Sequence, residues 1–171
     1  IIMLIKSVRG FTPQYGKNCF FAENATLIGE LIMGDHCSVW YQAVVRADVN
    51  FISIGDRVNI QDGAVIHGTF EKSATSIGNE VSIGHNAIVH GCTIKDRVLV
   101  GMGSIIMDDS VVGSNSIIAA GSVLPKNTIV PEGSIFAGVP AKKIKEVSLG
   151  LQKGEIERIA ANYIHYASWF K

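Results

Sequence analysis

The sequence predicts a parallel β-solenoid with one C-terminal α-helix, and three observations carry that prediction. First, aliphatic residues recur every six positions: Ile94, Val100, Ile106, Val112, Ile118, Leu124, Val130 and Phe136 form an unbroken run. A helix needs apolar spacing of three and four, and a hairpin strand alternates by two. A period of six suits short strands joined by bends and stacked coil on coil. An ordinary β-sandwich would not hold one period through so many units. Second, glycine often follows the repeating residue directly, as at Gly34, Gly55, Gly78, Gly84, Gly101 and Gly113. Such residues, with Asn and Asp, relieve steric cost at sharp bends. Third, the hexads stop near the end of the chain and helical spacing replaces them.

Taken in order, the segment before Cys19 is expected to cap one open end, because an uncovered solenoid end templates aggregation. Hexad runs follow at Met33, Val39 and Val45, then Ile54, Ile60 and Ile66, then Ile77, Ile83 and Val89. The step from Ile66 to Ile77 is eleven instead of six, so residues 68–76 read as an outward loop. The solenoid ends near Ala137-Gly138-Val139-Pro140-Ala141-Lys142. Beyond it Ile156, Ile159, Ala160, Tyr163, Ile164, Ala167 and Phe170 keep helical spacing, which predicts an amphipathic helix from about residue 152 packed along the outside. The expected division is a β-helix domain over residues 1–147, N-terminal cap included, and a helical appendage over 148–171.

Hydrophobic residues make up 47% of the 171 residues and charged residues only 18%, a lean surface that implies cover by partners. The formal net charge is zero, so there is no electrostatic footprint for nucleic acid. No apolar run is long enough to span a bilayer and no signal peptide is visible. The three cysteines, Cys19, Cys37 and Cys92, form no evident disulfide framework, which fits a reducing cytoplasm.

The hexads resemble the hexapeptide-repeat proteins, whose fold is a left-handed parallel β-helix with three hexads per coil. The handedness comes from that resemblance, since general rules favour right-handed crossovers. With three hexads per coil, His67 after Ile66 and His90 after Val89 fall on the same side, one coil apart. Neighbouring coils lie about 4.8 Å apart. Residues that follow an inward residue point outward, so two imidazoles on adjacent coils can converge on one ion with bonds of about 2.0–2.1 Å. His85, two residues after Ile83, falls on a neighbouring side and does not reach that ion within one chain. In a cyclic trimer it can be supplied by the next subunit, giving three equivalent interface sites. The same count puts Arg46 one coil beneath His67 and Asp62 one coil beneath His85. Across such an interface Arg46 and Asp62 can form a bidentate pair that fixes the register.

These residues resemble the γ-class carbonic anhydrase family and its short-loop bacterial relatives. Val45-Arg46-Ala47-Asp48 is similar to the family's arginine–aspartate motif. Asn59-Ile60-Gln61-Asp62-Gly63 is similar to its asparagine/glutamine–aspartate motif. His67, Ile83-Gly84-His85 and Val89-His90-Gly91-Cys92 match its three metal ligands. The resemblance implies a homotrimer with zinc, or iron or cobalt under some conditions, at each interface. It implies that His67 and His90 come from one subunit and His85 from the next. It further implies an Arg46–Asp62 pair between subunits with Asp48 supporting Arg46, Gln61 bonded to the metal's solvent, and Tyr163 lining the site. The implied activity is interconversion of CO2 and bicarbonate by a metal-bound hydroxide; carbonic anhydrase is itself the standard illustration of a metal lowering the pKa of water to about 7. The prototype's long acidic proton-shuttle loop has no counterpart: the loop here is short with one carboxylate, Glu71, and Val49 stands where the prototype has an acid. Slow or absent turnover is therefore expected.

Two other classes compete. A coenzyme A thioesterase or acyltransferase on the same fold is one, since hexapeptide acyltransferases often end in a sequence like Gly138-Val139-Pro140-Ala141-Lys142. A non-catalytic trimeric metal-binding scaffold is the other. Arg46 with Asp62 also reads as plain structural glue, and Tyr163 lies on the helix's apolar stripe, where packing competes with a role in the site. His36 and His165 match no motif. Cys92 reads as a small buried residue, and Trp40 and Trp169 as packing or interface residues.

Overall fold

A computed structural model describes residues 3–170. The strands stack into three parallel faces of one solenoid. One face carries the beginning of Val44–Ile54, then Val65–His67, Ile88–His90, Ile105–Ile106 and Val123–Leu124. The second carries the end of Val44–Ile54, then Thr75–Ile77, Thr93–Ile94, Val111–Val112 and Ile129–Val130. The third runs through Phe20–Phe21, Ser38–Val39, Asn59–Ile60, Ser82–Ile83, Leu99–Val100, Ile117–Ile118 and Ser134–Gly138.

The repeating aliphatics fill the axis: Val45, Ile60, Ile66, Ile83, Val89, Val100, Ile106, Ile118 and Leu124 are all 0% exposed. Each such side chain contributes about 1.5–3 kcal/mol by leaving water. A second inward position, two residues earlier, was not evident from the period. Ala43, Ala64, Ala87, Val81 and Val98 occupy it in the early coils, and Ser104, Ser110, Ser116 and Ser122 in the later ones. A buried hydroxyl needs a partner: Ser104 Oγ donates to Gly101 O at 2.7 Å and Ser110 Oγ to Pro125 O at 2.9 Å, while Ser122 Oγ accepts from Gly138 N at 3.2 Å. Cys37 and Cys92 occupy the same inward position.

The corners turn through left-handed residues, each placed three after an axial one, among them Arg57, Glu80, Asn86, Arg97, Asn115, Gly63, Gly103 and Gly121. The glycines that directly follow axial residues serve a different purpose from the one the sequence suggests. A Cβ on Gly101 would lie 2.4 Å from the Ala120 nitrogen of the adjoining coil, so close stacking of backbones, and not the bend, requires glycine there. One hexad is a residue short: Val89 to Ile94 is a step of five, closed by Gly91 with φ 55°.

The N-terminal segment covers its end of the solenoid by pairing with it. Leu4–Lys6 lies parallel to Thr26–Ile28 of the strand Thr26–Met33, and Gln14–Tyr15 lies parallel to Ile32 and Met33. At the other end Ala141–Glu146 folds back antiparallel on Ser134–Gly138. Exposed Lys142, Lys143 and Lys145 on this edge discourage further strand addition. The expected loop over residues 68–76 is shorter in the structure, because Thr75 and Ser76 already belong to the strand Thr75–Ile77 and Thr75 is fully buried.

The helix starts earlier than expected. Ser148 caps it, with Oγ accepting from Leu151 N at 3.3 Å. A π-wound stretch, Gln152–Glu157, contains the weak helix former Gly154, and Arg158–Ser168 is regular α-helix. Ile156, Ala160 and Ala167 are buried. The helix returns along the third face, with the Tyr163 ring edge-on to Trp40 at 5.3 Å and Phe170 against Phe20 at 5.3 Å and Trp40 at 5.6 Å. Among the described residues no helix is long and apolar enough to cross a membrane.

Candidate metal centre

Parallel pairing of Val65–His67 with Ile88–His90 sets His67 directly opposite His90. The five residues added between Ile66 and Ile77 leave this register intact because they bulge out as a loop. His67 Nδ1 lies 3.2 Å from His90 Nε2. Each ring's other nitrogen is tied to a carboxylate: His67 Nε2 to Asp48 Oδ1 at 3.0 Å, and His90 Nδ1 to Asp108 Oδ1 at 2.5 Å. An ionised carboxylate only accepts hydrogen bonds. Burial would raise both carboxyls, but hydrogen bonds from His67 and Arg46 hold Asp48 below its ordinary range, and bonds from His90, Lys126 and Thr69 do the same for Asp108. Burial, working against Asp48, holds His67 below its ordinary range and so favours the neutral ring.

A neutral imidazole has one N–H. If Asp48 and Asp108 take those protons, His67 Nδ1 and His90 Nε2 face each other with lone pairs. Such a contact calls for a proton or a cation between the rings. Two nitrogens bound to one ion at about 2.05 Å in tetrahedral geometry stand about 3.3 Å apart, close to the spacing here. Donor set and spacing both fit a divalent transition metal.

His85 stands on the third face, apart from this pair. It has the same kind of support: Asp62 Oδ2 lies 2.9 Å from Nδ1, and the Tyr163 hydroxyl lies 3.4 Å from Nε2. Burial first, then Asp62 and Tyr166, push the Tyr163 phenol up to about 12. Within one chain, among the described residues, no three His, Cys, Asp or Glu side chains form a group able to hold a metal. Arg46 Nη1 bonds Asp48 Oδ2 at 2.5 Å, so Asp48 bridges Arg46 and His67. Gln61 is 5% exposed and donates from Nε2 to Asn59 Oδ1 at 3.0 Å, while Asn59 donates to Ser82 Oγ at 2.7 Å.

Asp108 is the residue that the sequence reading missed. It sits one coil beyond Gly91, at the place a glycine side chain would otherwise claim: a Cβ on Gly91 would lie 2.4 Å from Asp108 Oδ1. The same hexad count that aligns the histidines would have aligned Asp108 with Gly91. Cys92 is buried, and burial pushes its thiol up to about 12, which suits an inert packing residue. His36 occupies a left-handed corner, and His165 packs on Trp169 at 5.3 Å.

The solenoid defines a hexapeptide-repeat protein, and one of its faces carries a facing pair of histidines. Residues 91–126 match the family described as bacterial transferase hexapeptide (six repeats), and residues 74–107 match the hexapeptide repeat of succinyl-transferase. The chain is 36% identical over 168 residues to a carbonic anhydrase of Geobacillus kaustophilus strain HTA426, which covers 98% of this chain and 91% of that protein. It is 38% identical over 161 residues to gamma carbonic anhydrase 2, mitochondrial, of Arabidopsis thaliana, covering 91% of this chain and 58% of that one. Among solved structures, a hexapeptide transferase family protein from Anaplasma phagocytophilum superimposes with a TM-score of 0.93 at 37% identity, over 98% of both chains. The chain belongs to the γ-class carbonic anhydrase family.

Proposed function

We propose that this protein interconverts carbon dioxide and bicarbonate as a homotrimer, with His67 and His90 of one protomer and His85 of an adjacent copy holding one divalent metal ion, zinc or in its place iron or cobalt. The observation that carries this reading is the pair of facing ring nitrogens, 3.2 Å apart, each with its far side anchored to a carboxylate. An all-imidazole donor set suits these metals, and carboxylate-anchored histidines are the usual support for such ligands.

His67, His90 and the adjacent copy's His85 would hold the ion, and the chemistry it would supply is Lewis acidity that makes water a nucleophile near neutral pH, the effect for which carbonic anhydrase is the usual example. The remaining work falls to the protein. Asp48, Asp62 and Asp108 fix the imidazole tautomers. Gln61 has its Nε2 committed to Asn59, so Oε1 is the end left to accept from the reacting water. Tyr163 meets His85 from the helix, closing that side of the site.

The trimer draws support from the surface beside the pair. Ile88 and Met107 are each 37% exposed, and with Ile105 they line an apolar hollow of about 410 Å³ against His90. Packing against a second copy removes this surface from water. Arg46 and Asp62 stand on different faces, so they can pair only between copies.

The test is metal analysis of protein purified without chelators, followed by stopped-flow CO2 hydration with zinc and, anaerobically, with iron. About one ion per chain, lost in His67→Ala, together with chelator-sensitive hydration, supports the reading. A metal-loaded trimer that hydrolyses acyl-coenzyme A but hydrates no CO2 overturns it.

A further inference from the structure

We infer that Asp108 is a positioning residue that couples His90 to the loop of residues 68–74, so that docking of this loop and binding of the metal reinforce each other. This rests on the metal reading above and goes beyond it by giving the short loop a task.

Asp108 is 5% exposed, and a buried carboxylate needs several donors to offset its lost hydration. It has three, and they come from different places. Oδ1 accepts from His90 Nδ1 at 2.5 Å; Oδ2 accepts from Thr69 Oγ1 at 2.9 Å and faces Lys126 Nζ at 3.1 Å. The adjacent Asp109 accepts from Ser73 Oγ at 2.8 Å. Two aspartates of the next coil therefore clip both ends of the loop. The re-entry point is tied down as well: Thr75 Oγ1 donates to the His67 carbonyl at 2.5 Å and accepts from Gly91 N at 2.9 Å. The seat for this strap is the space of a missing side chain. A Cβ on Gly91 would meet Asp108 Oδ1 at 2.4 Å and Ser73 Cβ at 2.8 Å.

The loop thus touches one carboxylate that also orients a ligand ring. When Thr69 lets go, the Asp108 carboxylate loses a contact that fixes its orientation and is freer to turn away from the Nδ1–H of His90. The tautomer that leaves Nε2 free for metal is then less populated. Linkage makes the effect reciprocal: whatever factor loop docking adds to metal affinity, metal adds to loop docking.

The experiment uses the full-length chain in its native assembly, with zinc as the probe. Zinc affinity is measured by competition with a chromophoric chelator, and amide hydrogen exchange of residues 69–74 is followed with and without zinc. In the unaltered chain zinc is expected to slow loop exchange. Thr69→Val, which leaves the His90–Asp108 bond in place, is expected to weaken zinc binding by about three- to tenfold, the worth of one buried hydrogen bond, and to cut the zinc-dependent part of loop protection by the same factor. Asp108→Asn is expected to cost about 10–100-fold, the usual range for such partners. It should also shift the imidazole 15N resonances of His90 towards the other tautomer, because an amide can donate as well as accept. Unchanged exchange at Ile117 and Ile118 certifies that the solenoid is folded. A chain that binds zinc but whose loop exchange ignores it, or a Thr69→Val variant that binds zinc with full affinity, overturns the inference and leaves the metal reading standing. An unaltered chain that binds no zinc, iron or cobalt removes both.

Discussion

At the scale of single residues, three histidines each surrender one nitrogen to an aspartate, and the remaining nitrogen is what the site has to offer. The pH dependence follows from His67. Burial lowers its pKa in the folded protein, so the unfolded chain takes up a proton first as the pH falls. Stability contributed by the neutral ring is therefore present above the unfolded value of about 6.5 and is lost as the pH falls from there towards the folded value. The metal-free protein is expected to melt at a lower temperature near pH 5.5 than near pH 7.5, and His67→Ala should flatten that difference. Equal slopes in both proteins would refute the assignment. The alignment of His67 with His90 could be read from the sequence, because hexad counting converts spacing directly into stacking. Asp108 stayed hidden because its partner position holds no side chain; a glycine gives a motif search nothing to see. The contact of Asp48 with His67 was hidden too, since the resemblance gave Asp48 only as a support for Arg46.

At the scale of elements, each rung is set by two inward side chains and one left-handed corner. Ile106→Ala is expected to cost about 2–5 kcal/mol in denaturant unfolding, as large-to-small changes in close-packed cores do. Gly101→Ala should be destabilising by about 1–3 kcal/mol, because its methyl group would press on backbone and not on a yielding side chain. If Gly101→Ala were neutral, close stacking would not be the reason for glycine there. The axial residues were plain in the sequence through their strict period. The second inward position was not, because alanine, valine, serine and cysteine share smallness and no common chemistry. The helix start was obscured by Gly150 and Gly154, whose poor propensity masks a cap at Ser148.

At the scale of the assembly, the proposed sharing of ligands between copies has a consequence that mixing can reveal. His67→Ala and His85→Ala trimers should each lose their metal. When the two are unfolded, mixed in equal amounts and refolded together, about a quarter of the interfaces join an intact His67/His90 pair to an intact His85. Metal content should recover to that extent. No recovery would show that each chain binds its ion alone. The period of six was readable from the sequence; three hexads per coil came from the resemblance to hexapeptide-repeat proteins, and the place of each histidine followed from the two together. Shared ligation at the level of the trimer was suggested by the resemblance and by the face on which His85 falls.

The returning helix has a further effect. Stacked repeats touch only their neighbours, so a bare solenoid unravels from its ends, one coil at a time. Here the chain leaves the last coil at Ser148 and brings Phe170 back to Phe20 and Trp40 in the first coils. The beginning and end of the ladder are thereby latched to each other, and the helical segment from Ser148 to Phe170 acts as a tie-rod along its length. Removing residues 148–171 should broaden the melting transition and let the earliest strands exchange their amides ahead of the rest, turning an all-or-none collapse into gradual peeling.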